Sequence, residues 1–156
     1  MCAAIEYDQQ RYYYKDSPRL PVLRRDGSLL WVQWGLPHGA DIRGVPAGAC
    51  ARRESLLAGK WTRLKPRPVK IPCSAFMERD NKRAEHWFAI DGQLAIQGAL
   101  ILLDNPIQTR SNGDQHAIVY VVTEPALGGV AAIHERQPRL IPLQADMPER
   151  LSTQRT

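Results

Sequence analysis

The sequence has no apolar run approaching the roughly 18 residues of a membrane-spanning helix, so no membrane partner is expected. Residues Met1 to Asp8 lack the basic-then-apolar pattern of a secretion signal, which makes the cytoplasm the expected compartment. Cysteine is sparse. Cys2, Cys50 and Cys73 stand far apart and form no C-x-x-C pair. That argues against a zinc knuckle and a disulfide scaffold, and leaves three free thiols in a reducing compartment. No internal repeat or low-complexity tract is visible, and no metal or organic cofactor is implied.

What is present fits one ordinary domain. The chain has 156 residues, enough to bury a core without staples. Residues 1–148 read as that domain and 149–156 as a polar C-terminal tail. Against 16 Asp and Glu stand 21 Lys and Arg, a net charge of +5 that favours an anionic partner without proving one. Most of the cations are Arg, whose planar fork matches phosphate oxygens.

The 12 Pro and 11 Gly are spread along the chain, as in a domain of many short strands joined by turns. Leu29 to Trp34, Val69 to Ile71, Trp87 to Ile90, Leu94 to Leu103 and Ala117 to Val122 read as strands. Asn81 to Glu85 reads as a polar hairpin turn, and Asn105 to Gln115 as a surface loop. Arg52 to Gly59 and Glu124 to Ile133 are helix candidates. Trp31, Trp61 and Trp87 are expected in the core. The fold class is therefore a β-rich α+β domain.

Cys2 carries the most distinctive chemistry. Its small side chain suits removal of Met1, and an exposed N-terminal cysteine sets an amine and a thiol on adjacent carbons. The α-amine, with a pKa of roughly 7.7–8.0, is partly neutral at pH 7 and can condense with an aldehyde. The thiol can then close a five-membered thiazolidine ring. By itself a lone Cys2 is weak evidence.

Behind Met1-Cys2 come, in order, Trp34-Gly35-Leu36-Pro37, Cys50-Ala51-Arg52-Arg53-Glu54-Ser55, Ile71-Pro72-Cys73-Ser74-Ala75-Phe76-Met77-Glu78, Gly98-Ala99-Leu100 and Ile133-His134-Glu135-Arg136-Gln137-Pro138. The set resembles the SOS-response-associated peptidase (SRAP) family from Cys2 to about Pro142. Its members typically show Met-Cys followed by W-G-L-I-P, N-A-R-x-E-T, I-P-A-D-G-F-Y-E-W, G-L-W and I-H-x-R-M-P.

The resemblance implies a barrel-like arrangement of mixed sheets with a few short helices. It implies covalent capture of abasic sites in single-stranded DNA during the DNA damage response, by a monomer that is nucleoid-associated when bound. Self-removal of Met1 is the implied peptidase activity. Cys2 is then the nucleophile, Glu78 the proton carrier beside the new N-terminus, and His134 the group that helps open the sugar ring. Arg52 would hold a DNA phosphate. Cys50 stands at the family's Asn position, Arg79 extends the basic face, and Trp34 either lines the DNA-binding face or packs beneath it. Two other readings stay open: a thiol peptidase built from Cys2, His134 and Glu78, and a non-catalytic single-stranded-DNA-binding module with a degenerate site.

Departures from the family pattern mark a divergent, short member. Cys50 replaces an amide by a weak thiol donor and is expected near enough to Cys2 to pair with it under oxidation. Ala75 replaces a glycine, which requires that no positive φ is needed there. Met77 and Arg79 replace the Tyr and Trp around the glutamate, and Gln137 replaces a Met.

Overall fold

The computed structural model describes residues 2–109 and 112–144. The tail expected at 149–156 lies outside them. Strand β1 (Ala4–Tyr7) turns at Asp8-Gln9, both at positive φ, into β2 (Gln10–Tyr13). After a 3-10 turn at Tyr14–Asp16, β3 (Arg19–Leu23) and β4 (Leu29–Trp34) form a hairpin. Next come β5 (Cys50–Arg52), helix α1 (Arg53–Leu57), β6 (Arg67–Ile71), β7 (Ala75–Arg79) and β8 (Glu85–Ala89). The long strands β9 (Leu94–Thr109) and β10 (Gly113–Pro125) are followed by helix α2 (Gly128–Ala131), β11 (Arg136–Pro138) and β12 (Leu140–Pro142).

Two sheets result. The smaller has the order β2-β1-β7-β8, antiparallel throughout. In the larger, β10 pairs β4, β4 pairs β3, β3 pairs β6, β6 pairs β9, and β9 returns to β10, a closed ring. Closure removes the exposed edges that such strands would otherwise present. The chain is thus the β-rich α+β domain expected, with two short helices among the described residues.

Side-chain alternation along the strands builds two apolar clusters. Val119 and Val121 of β10 join Leu20, Val32, Trp34, Ile71 and Ile96 with Ile5 and Phe76 of the small sheet, which packs the two sheets together. Ile118, Tyr120 and Val122, on the other face of β10, pack with Leu56, Trp61, Ala99 and Ile101.

Gly35 sits at the exit of β4 with φ +59°, and a Cβ there would meet the Gly48 carbonyl oxygen at 2.2 Å. The same turn lets the Gly35 N–H donate to the Val119 carbonyl and the Leu36 N–H to Gly48. Trp34-Gly35 is thus fixed by backbone geometry. Ala75 lies in β7 and is not among the residues at positive φ, so losing a glycine there costs no backbone strain.

Several local expectations are corrected. Asn105 to Gln115 is no loop: Ile107 pairs with Gln115, Gln108 with Asp114 and Thr109 with Gly113, Arg110 and Ser111 lying outside the described residues. A projecting hairpin tolerates this polarity because water covers most of its side chains. The helix expected over Glu124 to Ile133 shrinks to Gly128–Ala131, since Thr123 to Pro125 stay in β10 to pair with β11. Trp61 is buried, but Trp31 is 37% exposed and Trp87 is half-buried. Both lie on strands whose pairing leaves one face toward solvent. Among the described residues no helix is long and apolar enough to cross a membrane.

Candidate active site

The β1–β7 register carries the first chain segment to the site. Ala4 pairs with Met77, and the Ala3 N–H donates to the Met77 carbonyl at 3.4 Å, so Ala3 arrives opposite Glu78 with Cys2 one place beyond it. Phe76 and Glu78 share the face of β7 that packs inward, and Glu78 has no exposed surface. His134 follows α2, with its N–H donating to the Val130 carbonyl at 2.9 Å. Its Nδ1 lies 3.8 Å from Glu78 Oε1. The Glu78 charge also acts on the Cys2 thiol, which brings residues 2, 78 and 134 into one centre.

Burial sets the protonation of this centre. It pushes the Cys2 thiol well above its ordinary value, with the nearby Cys50 and Glu78 groups adding to the rise. It pushes Cys50 up to about 12 and Cys73 to about 12 as well. It also raises the Glu78 carboxyl above 4.5, against the pull of His134. A desolvated carboxyl of this kind can give and take protons nearer neutrality than one in water. The His134 Nδ1 is 3.0 Å from the Arg136 N–H and 3.1 Å from the Arg136 carbonyl, so the neutral ring can accept the first and the charged ring can donate to the second.

Cys50 belongs to this centre. Its Sγ lies 3.7 Å from the Cys2 carbonyl oxygen, and the Cys2 Sγ lies 3.5 Å from the Ala4 carbonyl. Arg52 falls on the same side of β5 as Cys50 and is exposed.

Two residues are placed elsewhere. Trp34 is fully buried, with its indole N–H donating to the Ala49 carbonyl at 3.0 Å. Of the two placements open to it, the structure has the second: it packs beneath the site and presents no face to DNA. Arg79 lies on the opposite face of β7 from Glu78, 3.7 Å from Glu85, because successive strand residues alternate. It does not extend the basic side of this centre.

Sequence reasoning missed two positioning residues. Arg136 forks onto Glu54 at 2.6 and 2.9 Å and donates to the Thr123 carbonyl at 2.9 Å. That tie fastens the His134 segment to the chain just after Arg52, and it holds the Glu54 carboxyl down at about 2. Arg136 stands inside the quoted Ile133–Pro138 string, but no local signal names its partner. Tyr14 packs edge-on against Trp34 at 5.7 Å, donates its hydroxyl to the Leu36 carbonyl, and takes the Ala3 carbonyl on its N–H at 2.9 Å. It thereby holds the segment next to Cys2.

The arrangement defines a sheet-rich domain with a buried thiol–carboxyl–imidazole centre. No protein-family model matches the chain, and no curated protein matches it. A solved crystal structure of a protein from Bacteroides thetaiotaomicron shares its fold, with a TM-score of 0.62 and 13% sequence identity over 90% of this chain. The chain spans 66% of that protein's length.

Proposed function

We propose that this chain is a divergent SRAP-type protein that captures abasic sites in single-stranded DNA through Cys2 once Met1 has left. The observation that carries the reading is the meeting of Cys2, Glu78 and His134, residues far apart in sequence, in one desolvated centre. Such a site suits a reaction made of proton transfers around a weak nucleophile.

The steps follow from the groups present. An abasic sugar is mostly a closed ring. His134 donates a proton to the ring oxygen as the C–O bond breaks, the anomeric hydroxyl gives its own proton to solvent, and the aldehyde forms. The Cys2 amine adds to the aldehyde carbon. Glu78 takes a proton from the nitrogen and gives one to the departing hydroxyl, so one water leaves and an imine remains. The Cys2 thiol adds to the imine carbon and its proton passes to the nitrogen, closing the thiazolidine. No oxidant, metal or cofactor enters the balance. Arg52, exposed on the Cys50 side of β5, receives a phosphate of the bound strand in this reading. Self-removal of Met1 by the same centre supplies the free amine, which gives the peptidase activity implied by the family resemblance.

The test is a denaturing gel of the protein mixed with single-stranded DNA bearing one abasic site. A heat-stable adduct that needs both the lesion and Cys2 is expected. Cleavage of a peptide substrate by protein with an acetylated N-terminus would instead point to a thiol peptidase. DNA affinity that survives Cys2→Ala, with no adduct from processed wild-type protein, would point to a binding module.

A further inference from the structure

Cys2, Cys50 and Cys73 are far apart in sequence, yet the fold gathers them. Cys2 belongs to the first apolar cluster, and Cys50 and Cys73 pack against it. Cys50 reaches the Cys2 backbone: its Sγ lies 3.7 Å from the Cys2 carbonyl oxygen, whereas the Cys73 Sγ turns to the Ile71 carbonyl at 3.6 Å. By ordinary bond lengths the Cys50 sulfur is within about 6 Å of the Cys2 Cα, a gap that two short side chains can close. The Cys2 Sγ turns to the Ala4 carbonyl at 3.5 Å. Both contacts are weak S–H···O bonds, so neither locks its sulfur in place. Cys50 is half-buried and Cys2 has no exposed surface, so an oxidant from solvent meets Cys50 first. Burial holds both thiols protonated, which slows their oxidation and suits the pair to a sustained peroxide load.

We propose that Cys2 and Cys50 form a reversible disulfide under hydrogen peroxide, which switches the protein from permanent to reversible capture. The inference rests on the reading of Cys2 as the crosslinking residue. The Cys50 sulfur attacks the peroxide, the O–O bond breaks, and the thiol proton leaves with the departing oxygen as water. The Cys2 sulfur then attacks the Cys50 sulfenic acid, and the hydroxyl leaves as a second water with the Cys2 proton. The two sulfurs give two electrons to the peroxide, and a dithiol returns them. In the bridged form the Cys2 amine still condenses with an aldehyde, but no thiol remains to close the thiazolidine. The product stops at the imine, which water reverses.

The experiment compares the reduced full chain, with its processed N-terminus, and the same protein after peroxide and catalase. DNA-free oxidised protein should be lighter by two hydrogens. Unfolded, it should take up alkylating reagent at Cys73 alone, and peptide mapping should join residue 2 to residue 50. With abasic single-stranded DNA its heat-stable adduct should fall at least about tenfold, return after dithiothreitol, and be replaced by an adduct that cyanoborohydride traps. Cys50→Ala, judged against its own reduced form, should lose no activity to peroxide, and Cys73→Ala should switch as wild type does. A bond from Cys2 to Cys73, or oxidation that stops at Cys50, would overturn the proposal. So would a 2–50 disulfide that leaves the heat-stable adduct unchanged. A mapped 2–50 disulfide in a protein whose reduced form gives no adduct would instead sink the capture reading, and the switch with it; an adduct from reduced protein with no disulfide after peroxide would sink the switch alone.

Discussion

Strand β7 and the turn after it supply the carboxyls of two carboxyl–imidazole pairs, and they are opposites. Asp80 and His86 meet at 2.8 Å within one hairpin, both partly exposed. Glu78 and His134 stand 3.8 Å apart, joined by no local sequence, with the carboxyl fully buried. The closer pair holds its carboxyl below 3.8, chiefly through the His86 bond, with the Ala84 and Lys82 N–H groups helping. The wider pair has its carboxyl raised, because burial outweighs every interaction that opposes it. Contact distance alone therefore does not predict which carboxyl is raised. Asp80 is a satisfied turn anchor, while Glu78 is a carboxyl kept from water.

The sharpest way to separate the pairs is to delete each. Glu78→Gln and His134→Ala should each slow adduct formation by about 10²- to 10⁴-fold in single-turnover assays, the usual range for a general acid or base. Asp80→Asn and His86→Ala should leave the rate within about twofold.

The next contrast is in pH dependence. Glu78 is raised above 4.5, so its folded form favours the proton; that contribution to stability is full below pH 4.5 and lost as pH rises through the folded value. Asp80 is lowered from 3.8, so its contribution is full above pH 3.8 and lost as pH falls through the folded value. At pH 7, thermal melts should place Glu78→Gln above wild type and Asp80→Asn below it. The acid limb of the crosslinking rate should lie above pH 4.5 and should not move in Asp80→Asn.

Cutting the tie behind the reactive pair should cost less. Glu54→Ala leaves the Arg136 guanidinium, 11% exposed, without its fork. Chemical denaturation should show a loss of about 1–3 kcal/mol, with a drop in crosslinking rate as the His134 segment loosens. The smallest effect belongs to Arg79→Ala on the other face of β7. Its pair with Glu85 is exposed on both sides, so stability should change by less than about 1 kcal/mol and capture not at all.

What could be seen in the sequence divides along the same line, local against distant. The strand at Leu29–Trp34, the turn between β7 and β8, and helix α1 were legible because alternation and turn residues act over a few positions. The extension of β9 and β10 was not, because a solvated hairpin has loop-like composition. The exposure of Trp31 was hidden, since it depends on where the edge strand β2 ends the small sheet. The membership of Cys2, Glu78 and His134 in one centre was legible only through the order of motifs; no spacing places 78 beside 134. Arg136 and Glu54, 82 residues apart, each stand in a motif string, but no spacing pairs them.

The central claim is that Cys2 reacts through both its amine and its thiol, with Glu78 carrying the protons. The most direct measurement is the intact mass of the product formed with an abasic single-stranded oligonucleotide, using protein of confirmed N-terminus and the same protein acetylated at that terminus. The account predicts a product from the free-amine protein alone, with the mass of the Met1-less chain plus the oligonucleotide less one water. An adduct from acetylated protein, or one that retains Met1, would contradict it.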